Sequence, residues 1–273
     1  MFTISGKVGL VTGGTQGIGA AISKELLRAG LRGIAIIGRS EDKGARMVKE
    51  LIEEFGTNRA IFIKADVSIK EQFHEAFKKS VETFKNIDIV VNNAMISTAE
   101  WCTSIAVNLI GMITGTVLAY ENYLPMYATD HKGVVINISS PAGLYGAAHS
   151  PHYAAAKSGG IALTLSMGCD LHYNRTGIKV IAVCPGYTGT PARVPDKEHF
   201  LGPAYFEALN QVLSNLRDPQ PCSVVGKAVV DIIRKGRSGS IWIVDESKPP
   251  YEVKLQVVRE DPTQSTTQFQ RII

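Results

Sequence analysis

Short apolar runs rich in Val and Ile alternate with longer amphipathic segments through most of the chain. The runs that predict strands cover residues 7–12, 33–38, 60–65, 87–91, 133–139, 178–184 and 240–245. None alternates strictly between apolar and polar positions, which indicates strands buried on both faces, as in a parallel sheet. The amphipathic segments between them predict helices, and several end at a glycine, a common helix stop.

Repeated strand and helix units of this length predict an α/β fold, a single doubly wound domain around a central parallel sheet of about seven strands. We expect residues 1–246 to form this domain. Residues 191–222 carry five prolines around a short helical pattern, and so long an irregular insertion is more typical of a functional flap than of a structural loop. Residues 247–273 are expected to form a tail beyond the last core strand.

Composition and charge narrow the classes of function. The chain has 273 residues, a net charge of +4 and no run of basic residues interleaved with aromatic ones, so nucleic-acid binding has no support. We expect no secretory signal and no membrane span, because no window approaches ~20 apolar residues. The four cysteines are widely spaced and show no metal-ligand pattern. They predict reduced, mostly buried thiols in a cytoplasmic protein without a metal site.

A glycine-rich loop, TGGTQGIG, follows the first strand and opens the first helix. Glycines at positions 13, 17 and 19 allow a tight turn and a close approach of the backbone to a pyrophosphate. The helix N-terminus behind them offers amide donors and a favourable dipole. In this strand, loop and helix context, dinucleotide binding is favoured over an ordinary turn.

Tyr153 and Lys157 stand one helical turn apart with only alanines between them. On a helix both project from the same face, and a lysine cation beside a phenol favours the phenolate, lowering the phenol pKa from about 10. Such a phenol can exchange protons near neutral pH. Taken alone, the pair is more often an ordinary helix surface, so the other motifs decide its meaning.

These two motifs occur together with others in an order found in one family. The further motifs are Asp66-Val67, Asn92-Asn93-Ala94, Asn108, Ser139-Ser140 and Pro185-Gly186. Residues 5–245 therefore resemble the short-chain dehydrogenase/reductase family, which implies a Rossmann fold, a nicotinamide coenzyme and interconversion of an alcohol and its carbonyl. Residues 138–159 look closest to the 15-hydroxyprostaglandin dehydrogenases and insect-type alcohol dehydrogenases of that family.

The resemblance implies catalytic roles for four residues. Tyr153 would be the acid/base, and Lys157 would lower its pKa and reach the nicotinamide ribose. Ser140, thirteen residues before the tyrosine, would hydrogen-bond the substrate oxygen, with Ser139 as its backbone-bonding neighbour. Asn108 would hold a water next to Lys157 and complete a proton relay.

The resemblance also implies a set of residues that contact the coenzyme. Asp66 would bond the adenine amino group, whereas Asn92 would tie strands together. The whole expected set is Gly13, Thr15, Gln16, Gly17, Ile18, Gly19, Arg39, Ser40, Asp66, Val67, Asn93, Ala94, Tyr153, Lys157, Pro185, Gly186, Thr188 and Thr190.

The end of the second strand bears on which nicotinamide is used. NAD-preferring members usually place an acidic residue there to bond the ribose hydroxyls, and this chain has Gly38. Arg39 can offer a fork of donors to a 2′-phosphate, and Ser40 could add a hydroxyl. Against this, Thr15 and Gln16 are neutral where many NADP users carry a basic residue, and Arg39 could merely stack on adenine. We predict NADP(H) as the preferred coenzyme, with NAD(H) as the alternative.

Met95 stands where the family usually has glycine, so its side chain would narrow the space beside the glycine loop or require a changed backbone. The expected substrate pocket consists of Met95, Trp101, Ala142, Leu144, Tyr145, His149 and Tyr187. We expect His149 at the rim rather than as a base. The lining predicts a lipophilic alcohol or carbonyl, such as a prostanoid, steroid, isoprenoid or medium-chain alcohol.

Two predicted helices, 102–128 and 153–174, are apolar around more of their circumference than one sheet face can cover. Together with the family resemblance, this predicts a homodimer or homotetramer. The alternative function is that of a non-catalytic, nucleotide-sensing or scaffold member of the same fold. Such proteins typically lack the tyrosine, lysine or serine, and this chain has all three.

Overall fold

The computed structural model describes residues 1–191, 197–214 and 218–255. Its strands are β1 Val8–Thr12, β2 Gly33–Gly38, β3 Ala60–Lys64, β4 Ile89–Asn92, β5 Val134–Ile138, β6 Lys179–Pro185, β7 Thr188–Gly189, β8 Gln220–Pro221, β9 Ile241–Val244 and β10 Tyr251–Val253. The helices that matter below are α1 Gly17–Arg28, α2 Glu41–Phe55, α3 Lys70–Phe84, α4 Trp101–Tyr127, α5 Ala142–Tyr145, α6 Pro151–Met167, α7 Asp170–Thr176, α8 Pro203–Ser214 and α9 Cys222–Lys235.

Eight strands form one sheet in the order β3-β2-β1-β4-β5-β6-β9-β10. The first seven are parallel, as predicted, and β10 is antiparallel to β9. Part of the expected tail therefore adds an edge strand to the sheet, and the domain boundary at residue 246 stays a prediction. Glu246 and Ser247 adopt positive φ angles of 53° and 57°. They reverse the chain and bring Tyr251–Val253 back to the sheet edge.

Both faces of the sheet are covered by helices. Val11 and Val91 belong to one buried apolar cluster, packed with α1 and α9. Their strand neighbours Leu10 and Val90 belong to a second cluster on the opposite face, with α3 and α4. Because successive side chains point to opposite faces and both faces are dry, the strands need apolar residues at consecutive positions.

Two expectations about the helices and thiols need correction. The predicted helix 153–174 is two helices, α6 and α7, because the chain breaks at Gly168, which packs against the backbone of Gly239 so closely that a Cβ would overlap it. The cysteines are not mostly buried: Cys184 is, but Cys102 and Cys169 are exposed. Both exposed thiols lie next to helix starts, where the apolar pattern does not specify a face.

Helix α4 is long and apolar enough, by length and composition, to cross a membrane, contrary to the expectation from the sequence. Half of its most apolar window is buried inside the protein. That burial is typical of a core helix. It contains two π-helical segments, Ala106–Ile110 and Leu118–Tyr123, where the chain carries an extra residue in the turn.

A buried chain of polar side chains joins α4 and α6 to the middle of the sheet. Asn92 Nδ2 donates to Thr116 Oγ1 (3.1 Å) and to Asn137 Oδ1 (2.9 Å), and Asn137 Nδ2 donates to Thr164 Oγ1 (3.0 Å). The prediction that Asn92 ties strands together is confirmed. Since hydrogen bonds are directional, this chain fixes how the two helices sit over the strand ends.

Candidate active site

The predicted catalytic tyrosine and serine meet at the carboxyl end of β5. Tyr153 lies in the first turn of α6, which begins with Pro151, a residue whose fixed φ suits a helix start. Its hydroxyl interacts with that of Ser140, whose Oγ accepts a hydrogen bond from the Ala142 amide at 3.2 Å. The structure thus places Ser140, not Ser139, at the phenol.

Lys157 is held by three contacts. Its Nζ donates to the Ile138 carbonyl at 2.8 Å, and its own carbonyl accepts from Ser139 Oγ at 2.8 Å. Gly143 packs on the same peptide, and a Cβ there would lie 2.7 Å from the Lys157 carbonyl carbon. The expectation that Ser139 bonds backbone is confirmed, and the lysine is only 2% exposed.

The electrostatics of the pair differ from the sequence expectation. Burial raises the pKa of the Tyr153 phenol, the interaction with the Ser140 hydroxyl opposes that rise, and the nearby Cys184 adds to it. The Lys157 ammonium donates to the Ile138 carbonyl and lies 5.5 Å from the centroid of the phenol ring. Burial lowers the pKa of Lys157 itself to about 8.

The Asn108 side chain faces the loop after β4 rather than Lys157. Its Oδ1 accepts from the Ile96 amide at 2.9 Å, and its Nδ2 donates to the Ile96 carbonyl at 2.9 Å and to Ser104 Oγ at 3.1 Å. Both amide hydrogens are used. The residue is fully buried within the π-helical segment of α4. Its side chain therefore shapes the wall of the site by fixing the backbone of Ile96.

The glycine loop fits a pyrophosphate. Gly13 and Gly17 have φ angles of 62° and 59°, and a Cβ on Gly13 would lie 2.9 Å from Ala94 Cα. Gln16 is the N-cap of α1 but makes no capping hydrogen bond with its side chain. The first backbone amides of α1 are therefore not bonded by that side chain. A phosphate at a helix N-terminus needs such amides as hydrogen-bond donors.

Asn93 and Ala94 hold the glycine loop in place. Both backbone amides donate to Thr12 Oγ1, at 2.9 and 3.0 Å, and Asn93 Nδ2 donates to the carbonyls of Thr12 and Gly13. Gly19 packs so tightly against the Gly13 carbonyl that no side chain fits. Ile18 packs partly against the core. Any coenzyme contact from Asn93 or Ala94 would use their carbonyls, because the amides are already bonded.

Arg39 and Asp66 face each other across the ends of β2 and β3. Arg39 Nη1 lies 3.8 Å from Asp66 Oδ2, and the arginine side chain is 62% exposed. Asp66 Oδ1 accepts from the amide and hydroxyl of Ser68, and Val67 is buried. Ser40 caps α2, its Oγ accepting from the Lys43 amide at 3.4 Å.

The stretch after β6 approaches the glycine loop from the other side. Pro185 ends β6, and Gly186 lies against the Asp245 carboxylate with no room for a Cβ. Thr188 Oγ1 donates to the Gly186 carbonyl at 2.9 Å. Thr190 reaches the loop itself, since a Cβ on Gly17 would lie 3.5 Å from Thr190 Cβ.

The predicted substrate residues include a set of exposed large apolar side chains. The exposed fractions are 46% for Met95, 59% for Trp101, 64% for Tyr145 and 43% for Tyr187. Ala142 is half-buried, and Leu144 is packed partly against the small core cluster around Ile161 and Cys184. Burial lowers the pKa of His149, and its Nδ1 is buried without a hydrogen-bond partner among the described residues.

Met95 does not strain the backbone. Its φ is not positive, so the position that is usually glycine in this family accepts a side chain here. The side chain is half-exposed, and the atoms nearest to a Cβ built on Gly13 belong to Asn93 and Ala94. The left-handed backbone conformation that would disfavour a side chain here is therefore absent, and the narrowing of the space beside the glycine loop stays a prediction.

Three positioning residues escaped the sequence analysis. Thr12 anchors Asn93 and Ala94. Gln220, which is buried, donates to Thr188 Oγ1 at 3.1 Å and to the Val244 carbonyl at 2.8 Å. His152 Nε2 lies 3.0 Å from the Thr98 carbonyl. The sequence could have indicated only Thr12, because it is a polar residue at the end of a buried strand. Gln220 and His152 contact residues that are far away in sequence.

Comparison with known proteins agrees with this geometry. The sequence model of the short chain dehydrogenase family matches residues 7–199. A 15-hydroxyprostaglandin dehydrogenase (NAD(+)) of Rattus norvegicus is 32% identical over 253 residues, covering 90% of this chain and 93% of that protein. The Bos taurus protein of that name is 31% identical over 270 residues (93% and 99%). A 3beta-hydroxysteroid dehydrogenase 1 of Eggerthella lenta is 36% identical over 201 residues (69% and 73%).

Proposed function

The chain belongs to the short-chain dehydrogenase family, and on that premise we propose that it interconverts a lipophilic alcohol and its carbonyl with a nicotinamide coenzyme. The observation that carries the proposal is the meeting of Ser140 and Tyr153, one turn before the buried Lys157. The four exposed apolar side chains of the expected substrate pocket support a prostanoid, steroid, isoprenoid or medium-chain alcohol as substrate.

In the proposed reaction, side chains of the protein carry out the proton transfer. A bound nicotinamide accepts or supplies the hydride. In the oxidation direction, the Tyr153 phenolate takes the proton of the substrate hydroxyl while Ser140 hydrogen-bonds the same oxygen. Lys157 keeps a positive charge one turn away, which favours the phenolate state. The Asn108 relay stays a prediction, and its side-chain bonds to Ile96 support a positioning role.

One experiment distinguishes the proposed dehydrogenase from the alternative, a nucleotide sensor without turnover. Initial rates are measured with NADP(H) and NAD(H) against a panel of lipophilic alcohols and ketones. Turnover of any of them that requires Tyr153 supports the dehydrogenase. Tight coenzyme binding, seen by calorimetry, without turnover across the panel would favour the sensor.

We also propose that residues 191–222 form a flap over the substrate. Strands β7 and β8 pair at its base, and α8, between them, has no fully buried residue. Phe200 and Phe206 rings pack at 5.6 Å and give this segment a small apolar core of its own. Residues 192–196 and 215–217 of the proposed flap lie outside the described residues.

Preference for NADP(H) is the finer part of the proposal, and it departs from the coenzyme named for the two mammalian relatives. We expect the parent enzyme to have the higher kcat/KM with NADP(H). Arg39→Ala should lower that preference at least tenfold, because a charged phosphate contact contributes about 1.5–3 kcal/mol. Arg46→Ala, on the exposed side of α2, is the matched control. A parent that favours NAD(H), or a preference unchanged in Arg39→Ala, would contradict this reading of the β2 end.

A homodimer or homotetramer through α4 and α6 is proposed as well. Ile110, Val117 and Leu165 on these helices are 39–47% exposed, and apolar faces of this kind favour association. Light scattering at micromolar concentration should give at least a dimer, and Val117→Glu should shift it towards monomer. Ile69→Glu, elsewhere on the surface, should leave the mass unchanged. A monomeric parent would contradict the proposal.

A cytoplasmic location completes the proposal. All four cysteines are free, and Cys102 and Cys169 present exposed thiols. Exposed free thiols persist best in a reducing compartment.

A further inference from the structure

A lysine from α2 lies against the glycine loop. Lys43 Nζ donates to Gln16 Oε1 at 2.8 Å across 27 residues of sequence. Gln16 leaves the amides of α1 uncapped by its side chain and uses its carbonyl oxygen for Lys43. We propose that Lys43 is a second cation, beside Arg39, of a site for the 2′-phosphate of NADP(H). This inference rests on the NADP(H) preference proposed above.

Close packing brings the loop and the end of β2 together. A Cβ added at Gly38 would lie 3.0 Å from Thr15 Cγ2, tighter than ordinary contact. The glycine loop can therefore approach the end of β2 because residue 38 has no side chain. The same glycine leaves no carboxylate there to bond ribose hydroxyls or repel a phosphate.

The charge of Lys43 is not neutralised by a carboxylate. Its side-chain partner is the neutral Gln16 amide, and among the described residues no carboxylate oxygen lies within 4.0 Å of its Nζ. Glu41, two residues before Lys43, is paired with Lys64 at 3.1 Å.

The Arg39 guanidinium is also available to bind a phosphate. Its ion pair with Asp66 is long, at 3.8 Å, and highly exposed, and such surface pairs contribute little. A phosphate would gain a planar fork of donors from Arg39 and a point charge from Lys43, two complementary ways of binding the same dianion. Asp42, in the first turn of α2, is a neighbouring carboxylate with no cationic nitrogen within 4.0 Å among the described residues.

The test uses two fragments that differ by the phosphate alone, 2′,5′-ADP and 5′-AMP, with binding to the full chain measured by calorimetry. We expect the parent to bind 2′,5′-ADP more tightly. Lys43→Ala should weaken 2′,5′-ADP about tenfold and leave 5′-AMP within twofold. Gln16→Glu, which offers Lys43 a carboxylate, should also weaken 2′,5′-ADP. Lys49→Ala, on the exposed face of α2, is the matched control and should change neither affinity.

The possible outcomes distinguish failure of the role of Lys43 from failure of the proposed NADP(H) preference. If Lys43→Ala keeps the parent's preference for 2′,5′-ADP while Arg39→Ala loses it, the role of Lys43 is overturned and the NADP(H) preference stands. If the parent binds the two fragments equally, the coenzyme preference and the role of Lys43 both fall. Because Lys43 is exposed, its replacement should leave the melting temperature unchanged, so loss of folding does not obscure the result.

Discussion

Tyr153→Phe should lower kcat/KM about a thousandfold while coenzyme affinity stays within threefold of the parent. The change removes one hydroxyl and leaves the ring, so α6 and the contact of the ring with Lys157 remain. Proton transfer by a positioned group contributes about 10²–10⁴-fold, and here the hydroxyl that meets Ser140 is the group removed. Steady-state rates and calorimetry with the coenzyme measure the two effects separately.

Tyr173→Phe is the matched control for this change. Tyr173 is a half-buried tyrosine of α7, outside the site, and its loss of a hydroxyl should leave turnover unchanged. Residual activity of Tyr153→Phe within about tenfold of the parent, which corresponds to a barrier change of roughly 1.4 kcal/mol, would contradict the assignment of Tyr153 as acid/base.

Lys157→Met is expected to abolish most turnover and yet to raise the free energy of unfolding at pH 7. Burial lowers the lysine pKa from 10.5 to about 8, a shift that corresponds to about 3 kcal/mol against the charged folded state. Methionine removes that cost. It also leaves the Ile138 carbonyl without its donor, a loss of about 1–2 kcal/mol, so the net gain should be about 1–2 kcal/mol.

The pH dependence gives this prediction a sign that packing alone would not produce. Below pH 8 the lysine is charged in both folded and unfolded chains, and the full cost is present. Between pH 8 and 10.5 the folded lysine loses its proton before the unfolded one, so the parent gains stability as pH rises. The advantage of Lys157→Met should therefore shrink over this window. Lys49→Met, at an exposed position, should show no such trend, and a constant difference would argue against a buried charge.

The parallel sheet could be predicted from the sequence because both of its faces are buried. Every strand from β1 to β6 then carries consecutive apolar residues, which the pattern reveals directly. Strand β10 could not, because it has three residues at a sheet edge and depends on two positive φ angles at Glu246 and Ser247. The break between α6 and α7 depends on a backbone contact between Gly168 and Gly239, which no local pattern encodes.

The site was predictable in its composition but not in its electrostatics. Spacing brought Tyr153 and Lys157 together, yet the ammonium points to the Ile138 carbonyl, since a buried cation takes the nearest strong acceptor. The sequence also indicated no basic residue at the glycine loop. The basic group comes from α2, as Lys43, and a contact across 27 residues is invisible to a search of the loop itself.

Transfer of a label tests the central claim, that the chain is a dehydrogenase that uses Tyr153, most directly. The parent and Tyr153→Phe are incubated with C4-deuterated NADPH or NADH and a panel of lipophilic ketones. The masses of the products are then measured by mass spectrometry. We predict that the parent yields an alcohol carrying one deuterium on the former carbonyl carbon, and that Tyr153→Phe yields about a thousandth as much in the same time. Bound coenzyme with no deuterated alcohol from any ketone, or equal labelling by both proteins, would contradict the account.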